Sequence, residues 1–138
     1  MSENVCKNLL TISSVTELFP APPVPVIPRT GIIDSIFFEN EIDEIWITFP
    51  DPQIKYKRTK HRMTNPVFLR KYFHILNENG IVHLKTDSEF MHGYTLGLLH
   101  GEGHEVLYAN HNIYHNEGSP KEVIETQTFY ENQYLAVG

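Results

Sequence analysis

The chain has 138 residues, which is the size of one globular domain with a modest core. Its 17 acidic and 11 basic residues give a net charge of −6, which argues against a protein that coats nucleic acid with its whole surface but allows a local basic patch. Cys6 is the only cysteine, so an intrachain disulfide is excluded. No apolar run reaches the roughly 18 residues that a membrane helix needs.

The first 28 residues differ in composition from the rest. The stretch FPAPPVPVIP, residues 19–28, holds five of the nine prolines and favours extended backbone without regular hydrogen bonds. We interpret residues 1–28 as an arm or linker and residues 29–138 as the folded domain. The opening residues lack the long apolar core of a signal peptide, and we expect a cytoplasmic protein.

The next elements in chain order are a helix, a strand and a second helix. GIIDSIFF, residues 31–38, has the apolar spacing of a short amphipathic helix, and EIWITF, residues 44–49, reads as a buried strand. Asn65 and Pro66 predict the cap and first residue of a helix that NENG, residues 77–80, would end.

The second half continues this alternation. GIVHLKTDS, residues 80–88, predicts a strand, and SEFMHGYTLGLLHGEG, residues 88–103, predicts a helix. HEVLYAN, residues 104–110, and TQTFYENQYLAV, residues 126–137, are rich in β-branched and aromatic residues and predict further strands. The alternation predicts an α/β sheet that is parallel where crossover connections run.

The sequence FPDP, residues 49–52, follows the first predicted strand directly. Each proline disfavours helical backbone in the residue before it, so Phe49 and Asp51 are expected to be extended. In open α/β sheets ligands bind at the carboxyl ends of strands, which makes Asp51 a candidate site residue. Asp-Pro is also common in ordinary turns.

Residues 55–62, KYKRTKHR, hold five of the 11 basic residues and are called the basic loop below. A run of charge is often just a solvated loop, but this segregation in an acidic chain favours contact with phosphates. Tyr56 could stack on a base or pack locally. The candidates for phosphate contact are Lys55, Lys57, Arg58, Lys60 and Arg62.

Two further groups of polar residues have competing interpretations. Thr86 and Asp87 end a predicted strand, where Asp87 could face the same cleft as Asp51, or Asp87 or Ser88 could cap the next helix. Two pairs of histidines are four residues apart, which suits a shared metal ion, but HGEGH contains two glycines and does not place its glutamate as the zinc protease motif does. These histidines are His92, His100, His104, His111 and His115. We assign no metal ligand.

Taken together, FPDP, the basic loop, the strand ending in Thr86-Asp87 and the late block TFYE, residues 128–131, resemble the C-terminal half of the bacterial tRNA (guanine-N7)-methyltransferases. The resemblance covers about residues 29–138. It implies an α/β fold like that of the Rossmann-like class I methyltransferases, with S-adenosylmethionine as cofactor and tRNA as partner. The implied reaction moves the methyl group to N7 of a guanine in the tRNA variable loop.

The resemblance also implies roles for single residues. Asp51 takes the place of the aspartate that lies at both the cofactor and the reacting base. The implied contacts to tRNA come from Lys55, Asp87, Thr128, Phe129, Tyr130 and Glu131.

The chain departs from the family pattern in its first part. It contains neither the family's N-terminal strands nor its glycine-rich cofactor loop, because Gly93, Gly97, Gly101 and Gly103 do not form such a loop. Three explanations stay open: a truncated or rearranged gene product, a fragment of a longer chain and a degenerate relative. The rival functions are an inactive RNA-binding remnant of the family and, less favoured, a histidine-based metal-binding α/β module.

Overall fold

The computed structural model describes residues 8–13, 33–114, 118–125 and 127–137. These residues form four strands, five α-helices and one 3₁₀ helix. In chain order they are β1 (Asn8–Ser13), α1 (Ile33–Ile36), β2 (Ile42–Thr48), the 3₁₀ helix (Tyr56–His61), α2 (Pro66–Ile75), β3 (Leu76–Thr86), α3 (Glu89–Glu102), β4 (Val106–Asn110), α4 (Lys121–Glu125) and α5 (Phe129–Val137). No helix within these ranges is long and apolar enough to cross a membrane.

The four strands form one sheet in the order β2-β3-β1-β4. Strand β2 is parallel to β3, and β1 is antiparallel to both β3 and β4. Strands β2, β3 and β4 therefore run in the same direction, and their carboxyl ends lie along one edge of the sheet. The predicted α/β fold is confirmed, with the parallel pair β2 and β3 joined through α2.

Strand β1 comes from the segment that the sequence suggested was an arm. Its backbone is extended as expected, but it lies inside the sheet, with Leu10 paired to Leu84 on β3 and to Ala109 on β4. For residues 8–13 the interpretation as a separate arm is therefore wrong, because these residues supply the ladder hydrogen bonds between two strands. The proline-rich residues 19–28 lie outside the described residues, and the domain boundary after residue 28 stays a prediction.

One face of the sheet packs against α2 and α3. Alternate residues of the strands point to this face, as the period of two requires, and Val82, Leu84 and Ile47 are buried there. Leu69 on α2 and Leu99 on α3 close the core from the helices. Burying one side chain of this size contributes about 1.5–3 kcal/mol to the free energy of folding. This apolar packing therefore holds α2 and α3 against the sheet, next to the site.

Side-chain caps fix the starts of α2 and α3. Asn65 accepts a hydrogen bond from the backbone N–H of Phe68 at 2.9 Å, as predicted. Ser88 accepts from the N–H of Met91 at 3.1 Å, so Ser88 rather than Asp87 caps α3. This result leaves the Asp87 carboxylate outside the cap.

The predicted end of α2 was confirmed, because the helix ends at Ile75, just before NENG. The predicted start of β3 at Gly80 was wrong, because the strand begins at Leu76, although residues 77–80 interrupt its pairing with β2 between Leu76 and Ile81. The last predicted strand, residues 126–137, contains helix α5 instead. Its first turn is closed by a reciprocal Thr128 and Glu131 cap, and this local cap outweighs the strand preference of the aromatic residues.

Candidate functional site

The candidate site lies at the sheet edge where β2 and β3 end. The backbone N–H of Phe49 donates to the carbonyl of Lys85 at 2.8 Å, which keeps the two strands paired up to the point where FPDP begins. Asp51 follows β2 by three residues and Asp87 follows β3 directly. The parallel pairing therefore places two acidic residues at the same edge, where α/β sheets bind ligands.

The loop that carries Asp51 has an unusual backbone. Phe49 has φ of 50° and Gln53 has φ of 47°, both in the left-handed region. The prediction of extended backbone is wrong for Phe49. Its N–H donates to a carbonyl of β3, and the residue takes up left-handed backbone, which also avoids the helical region that Pro50 disfavours. Left-handed backbone at a non-glycine residue costs about 1–3 kcal/mol and is concentrated at functional sites.

Asp51 is exposed and stabilises this loop through one carboxylate oxygen. Its Oδ1 accepts a hydrogen bond from the N–H of Gln53 at 2.9 Å. Within the described residues Oδ2 accepts no hydrogen bond. The carboxylate lines a cavity of about 610 Å³, and its second oxygen can therefore accept from a ligand.

The walls of this cavity are mostly apolar or aromatic. Tyr72 is buried at its base and donates to the carbonyl of Met63 at 2.8 Å, and burial raises the pKa of its hydroxyl far above the usual value. The full lining is Ile33, Ile45, Trp46, Ile47, Thr48, Pro50, Asp51, Gln53, His61, Met63 and Tyr72. A carboxylate against such walls suits a planar or cationic ligand that has N–H donors.

Four basic side chains of the basic loop point into solvent beside this cavity. They belong to Lys55, Lys57, Arg58 and Lys60. Across the described ranges none of these four forms an ion pair with an acidic side chain. Their charge is therefore not neutralised locally, and the prediction that they contact phosphates stays open.

Arg62 has a different role from its neighbours. Only 5% of its surface is exposed, and Nε and Nη2 donate to the carbonyls of Gln53 and Ile54 at 3.1 and 3.2 Å. Its guanidinium carbon lies 4.8 and 4.4 Å from the ring centres of Phe90 and Tyr94. The prediction of a phosphate contact is therefore wrong for Arg62, because the side chain is used to join the Asp51 loop to α3.

The TFYE block reaches the same edge of the sheet from α5. Thr128 is half-buried and Phe129 is 79% exposed, whereas the side chain of Tyr130 lies outside the described part of the chain. Glu131 is buried, and its Oε1 lies 2.6 Å from Nζ of Lys85. Tyr114 also donates to Oε1 at 2.8 Å. Glu131 therefore positions α5, and the predicted direct contact of its carboxylate with tRNA is not supported by this geometry.

The charge on Glu131 is maintained in spite of its burial. Burial raises the pKa of a carboxyl group, but here the hydrogen bonds from Lys85, from the N–H of Thr128 and from Tyr114 lower the pKa below the usual value. Lys85 also donates to the carbonyl of Val123 at 3.0 Å, which links β3 to α4. Lys85 was not among the predicted site residues, although a lysine directly after the run GIVHL, residues 80–84, within a predicted strand was a signal of a buried partner.

The histidines that the structure describes do not form a metal site. His104 lies 3.1 Å from Glu102 and packs against Phe73, while His83 pairs with Glu44 on the other face of the sheet. His115 lies outside the described residues. Within the ranges that the structure covers, no three His, Cys, Asp or Glu side chains are arranged to hold a metal ion.

Comparison with known proteins identifies the family. Residues 29–138 match the model of a methyltransferase family, Methyltransf_4. The chain belongs to this methyltransferase family. The match begins at the boundary that the sequence resemblance indicated, and it contains both aspartates and the basic loop.

Curated relatives of this methyltransferase family are named tRNA (guanine-N(7)-)-methyltransferase. The protein of Christiangramia forsetii is 72% identical over 107 residues, which cover 78% of this chain and 48% of the relative. The protein of Bacteroides fragilis is 43% identical over 107 residues, covering 78% of this chain and 41% of the relative. The chain thus spans about half the length of the curated relatives that it matches.

Proposed function

We propose that this chain is part of a tRNA (guanine-N7)-methyltransferase that binds tRNA and positions the reacting guanine. The observation that carries the proposal is the exposed Asp51 carboxylate, held at the sheet edge beside a cavity and next to uncompensated basic side chains. The names of the relatives, tRNA (guanine-N(7)-)-methyltransferase, support tRNA as the substrate class. We further propose that residues 29–138 form part of a Rossmann-like class I methyltransferase fold.

Asp51 would orient the base and stabilise its charge. Guanine N7 has a lone pair and no proton, so methylation at this atom needs alignment but no general base. The Asp51 carboxylate can accept hydrogen bonds from guanine N–H groups and favours the positive charge that develops on the ring. Its loop is fixed by Gln53 and by Arg62, which reduces the cost of ordering the carboxylate when substrate binds.

S-adenosylmethionine is the methyl donor that this family implies, and it would supply an electrophilic methyl group. The cavity beside Asp51 fits such a ligand in part, because it combines a carboxylate that can hold a cationic ligand with apolar walls from Ile45, Met63 and Tyr72. A glycine-rich cofactor loop is not present in this sequence. The fit is therefore confined to Asp51 and the walls of the cavity.

The basic loop would bind the tRNA backbone. Lys55, Lys57, Arg58 and Lys60 are exposed and follow the Asp51 loop directly in the chain, so they can contact phosphates of the bound RNA. Asp87, Thr128, Phe129 and Tyr130 remain proposed contacts to the substrate. Asp87 is exposed and is not the cap of α3, which leaves its carboxylate available to base N–H groups.

Methyl transfer tests the proposal directly. The full chain is incubated with tRNA and radiolabelled S-adenosylmethionine, and incorporation is compared for the wild type, Asp51→Asn and the control Glu105→Gln. Glu105 is exposed directly before the first residue of β4, whereas Asp51 follows the carboxyl end of β2. We expect labelled 7-methylguanine from wild type and control and at least a hundredfold loss in Asp51→Asn, as for removal of one electrostatic group from an active site.

Salt dependence of tRNA binding tests the basic loop. Replacing Lys55 by Ala should weaken binding and reduce the salt slope by about one. Arg70→Ala, which removes an exposed charge on α2, should leave the slope unchanged. An unchanged slope in Lys55→Ala would contradict the role of this residue.

A second candidate function is an RNA-binding remnant without methyl transfer. The uncompensated charge of the basic loop together with the missing glycine-rich loop favours this alternative. Retained tRNA binding without incorporation of label would select the remnant over the enzyme.

A further inference from the structure

A second cleft lies between the segment that follows FPDP and the first half of α3. Its volume is about 550 Å³, and it is lined by Ile54, Tyr56, Arg62, Glu89, Phe90, Gly93 and Tyr94. None of these residues lines the cavity beside Asp51. The two openings are therefore separate features of the surface.

Large apolar side chains are exposed around this cleft. The exposed fractions are 64% for Ile54, 91% for Tyr56 and 41% for Phe90. A contiguous set of this kind on one surface indicates a binding site rather than chance exposure. Two of the three side chains are aromatic, and an aromatic face can stack on any nucleobase.

The floor of the cleft is formed by two nearly parallel aromatic rings. Phe90 and Tyr94 stack with an angle of 12° between their rings and 6.3 Å between ring centres. The Arg62 guanidinium lies over both rings and is fixed by two backbone carbonyls. A ligand that stacks here meets a surface that is already ordered, so little conformational entropy is lost on binding.

The charge around the cleft favours a nucleic acid over an apolar peptide. Glu89 is the one acidic residue of the lining, whereas Lys55, Lys57 and Arg58 of the adjoining basic loop are exposed. Stacking aromatics beside a positive stripe are the combination that binds single-stranded nucleic acid. The basic residues would hold the phosphates on either side of a base that enters the cleft.

We propose that this cleft binds an unpaired nucleobase of the RNA substrate by stacking, at a site distinct from that of the reacting guanine. The identity of this RNA as tRNA rests on the proposed function. Phe90 and Tyr56 would supply the stacking surface, and the contact with Arg62 would hold the Phe90 ring in place. The site would recognise a flipped or single-stranded base whatever the identity of that base.

Binding of short RNA tests the inference without any methyl transfer. The full chain is titrated with a fluorescent hexaadenylate and with the same hexamer in which the central two residues are abasic, so that the phosphates are unchanged. We expect the wild type to bind the abasic hexamer at least about fivefold more weakly than the intact hexamer, because at least one stacked base is lost. Equal binding of the two hexamers would overturn the inference.

Variants locate the base contact. Phe90→Leu and Tyr56→Leu should weaken hexaadenylate binding about fivefold, remove the difference between intact and abasic hexamers and leave the salt slope unchanged. The control Phe38→Leu alters a side chain that is 80% exposed elsewhere and should bind like the wild type. If Phe90→Leu and Tyr56→Leu both bind RNA like the wild type, the inference is overturned. The same holds if these variants bind RNA normally but lose binding of an apolar peptide, because the cleft would then be a peptide site.

A matched pair of glycine variants adds a test by obstruction. An added Cβ at Gly93 or Gly97 meets no atom within 4 Å, and both residues lie on α3, but only Gly93 lines the cleft. Gly93→Met should block base-dependent binding while Gly97→Met retains it, with equal thermal midpoints for the two.

The results for methyl transfer and for RNA binding separate the two proposals. A wild type that shows base-dependent RNA binding but no methyl transfer would contradict the proposed function alone. A wild type that transfers methyl groups but binds intact and abasic hexamers equally would contradict this inference alone.

Discussion

Nζ of Lys85 and Oε1 of Glu131 lie 2.6 Å apart, and both side chains are almost completely buried, with exposed fractions of 3% and 1%. This ion pair joins the end of β3 to the first turn of α5. Glu131 also closes the cap with Thr128, so the same carboxylate sets the start of the helix and its position on the sheet. The TFYE block depends on Lys85 for its place at the site.

Removing one charge of this pair should be costly. Glu131→Gln removes the negative charge that lies 2.6 Å from the buried Lys85 ammonium, and we expect a loss of about 3–5 kcal/mol in the free energy of unfolding. Lys85→Met combined with Glu131→Leu should cost less than the two single changes together, because no charge is left buried. Urea denaturation measures the wild type, Glu131→Gln, Lys85→Met, Glu131→Leu and the double variant, with the exposed Glu125→Gln as control. Additive losses would contradict a coupled pair.

The same pair predicts a loss of stability in acid. The pKa of Glu131 is lowered in the folded protein relative to the usual value of 4.5. The resulting stabilisation is present above pH 4.5 and is lost as the pH falls through the lower folded pKa. Urea midpoints between pH 7 and pH 3 should therefore fall more steeply in the wild type than in Glu131→Gln. Parallel pH profiles would show that Glu131 titrates normally.

Local signals in the sequence predicted the elements that depend on local interactions. The Asn65 cap with Pro66, the strand before FPDP and the helix after Ser88 were confirmed because each is specified by neighbouring residues. The place of β1 between β3 and β4 could not be predicted, since its partners lie about 70 to 100 positions away in the sequence. The burial of Arg62 and Glu131 was missed for the same reason, because their partners Tyr94 and Lys85 come from other elements.

Arg62 should stabilise the Asp51 loop in a way that its neighbour Lys60 does not. Arg62→Ala removes two hydrogen bonds to the carbonyls of Gln53 and Ile54 and the contacts with two aromatic rings. We expect a loss of roughly 2–3 kcal/mol and faster hydrogen exchange in residues 50–55. Lys60→Ala should change neither quantity, because that side chain is exposed. Arg62→Lys should restore little, since lysine lacks the planar fork. Equal exchange in Arg62→Ala and Lys60→Ala would refute this role.

His83 should titrate below the usual range for histidine. Burial lowers the pKa of His83, and the opposing hydrogen bond from Nε2 to Glu44, 2.6 Å long, only partly compensates for this. Glu44→Gln removes the compensation, so the pKa of His83 should fall further. Nitrogen chemical shifts of the imidazole followed by NMR from pH 4 to pH 8 measure both proteins. A higher pKa of His83 in Glu44→Gln would mean that the carboxylate does not act on the ring.

Thr64 and Thr95 should behave as a coupled pair inside the core. Their hydroxyl oxygens are 2.7 Å apart, and both residues are fully buried. Thr64→Val leaves the Thr95 hydroxyl without this partner and should cost about 1–3 kcal/mol in the free energy of unfolding, as should Thr95→Val. The double variant removes both polar groups and keeps the shape, so its stability should return to near the wild-type value. Urea denaturation of the four proteins gives the coupling energy, and a double variant that loses the sum of the single costs would show that the hydrogen bond contributes nothing specific to the packing of α3.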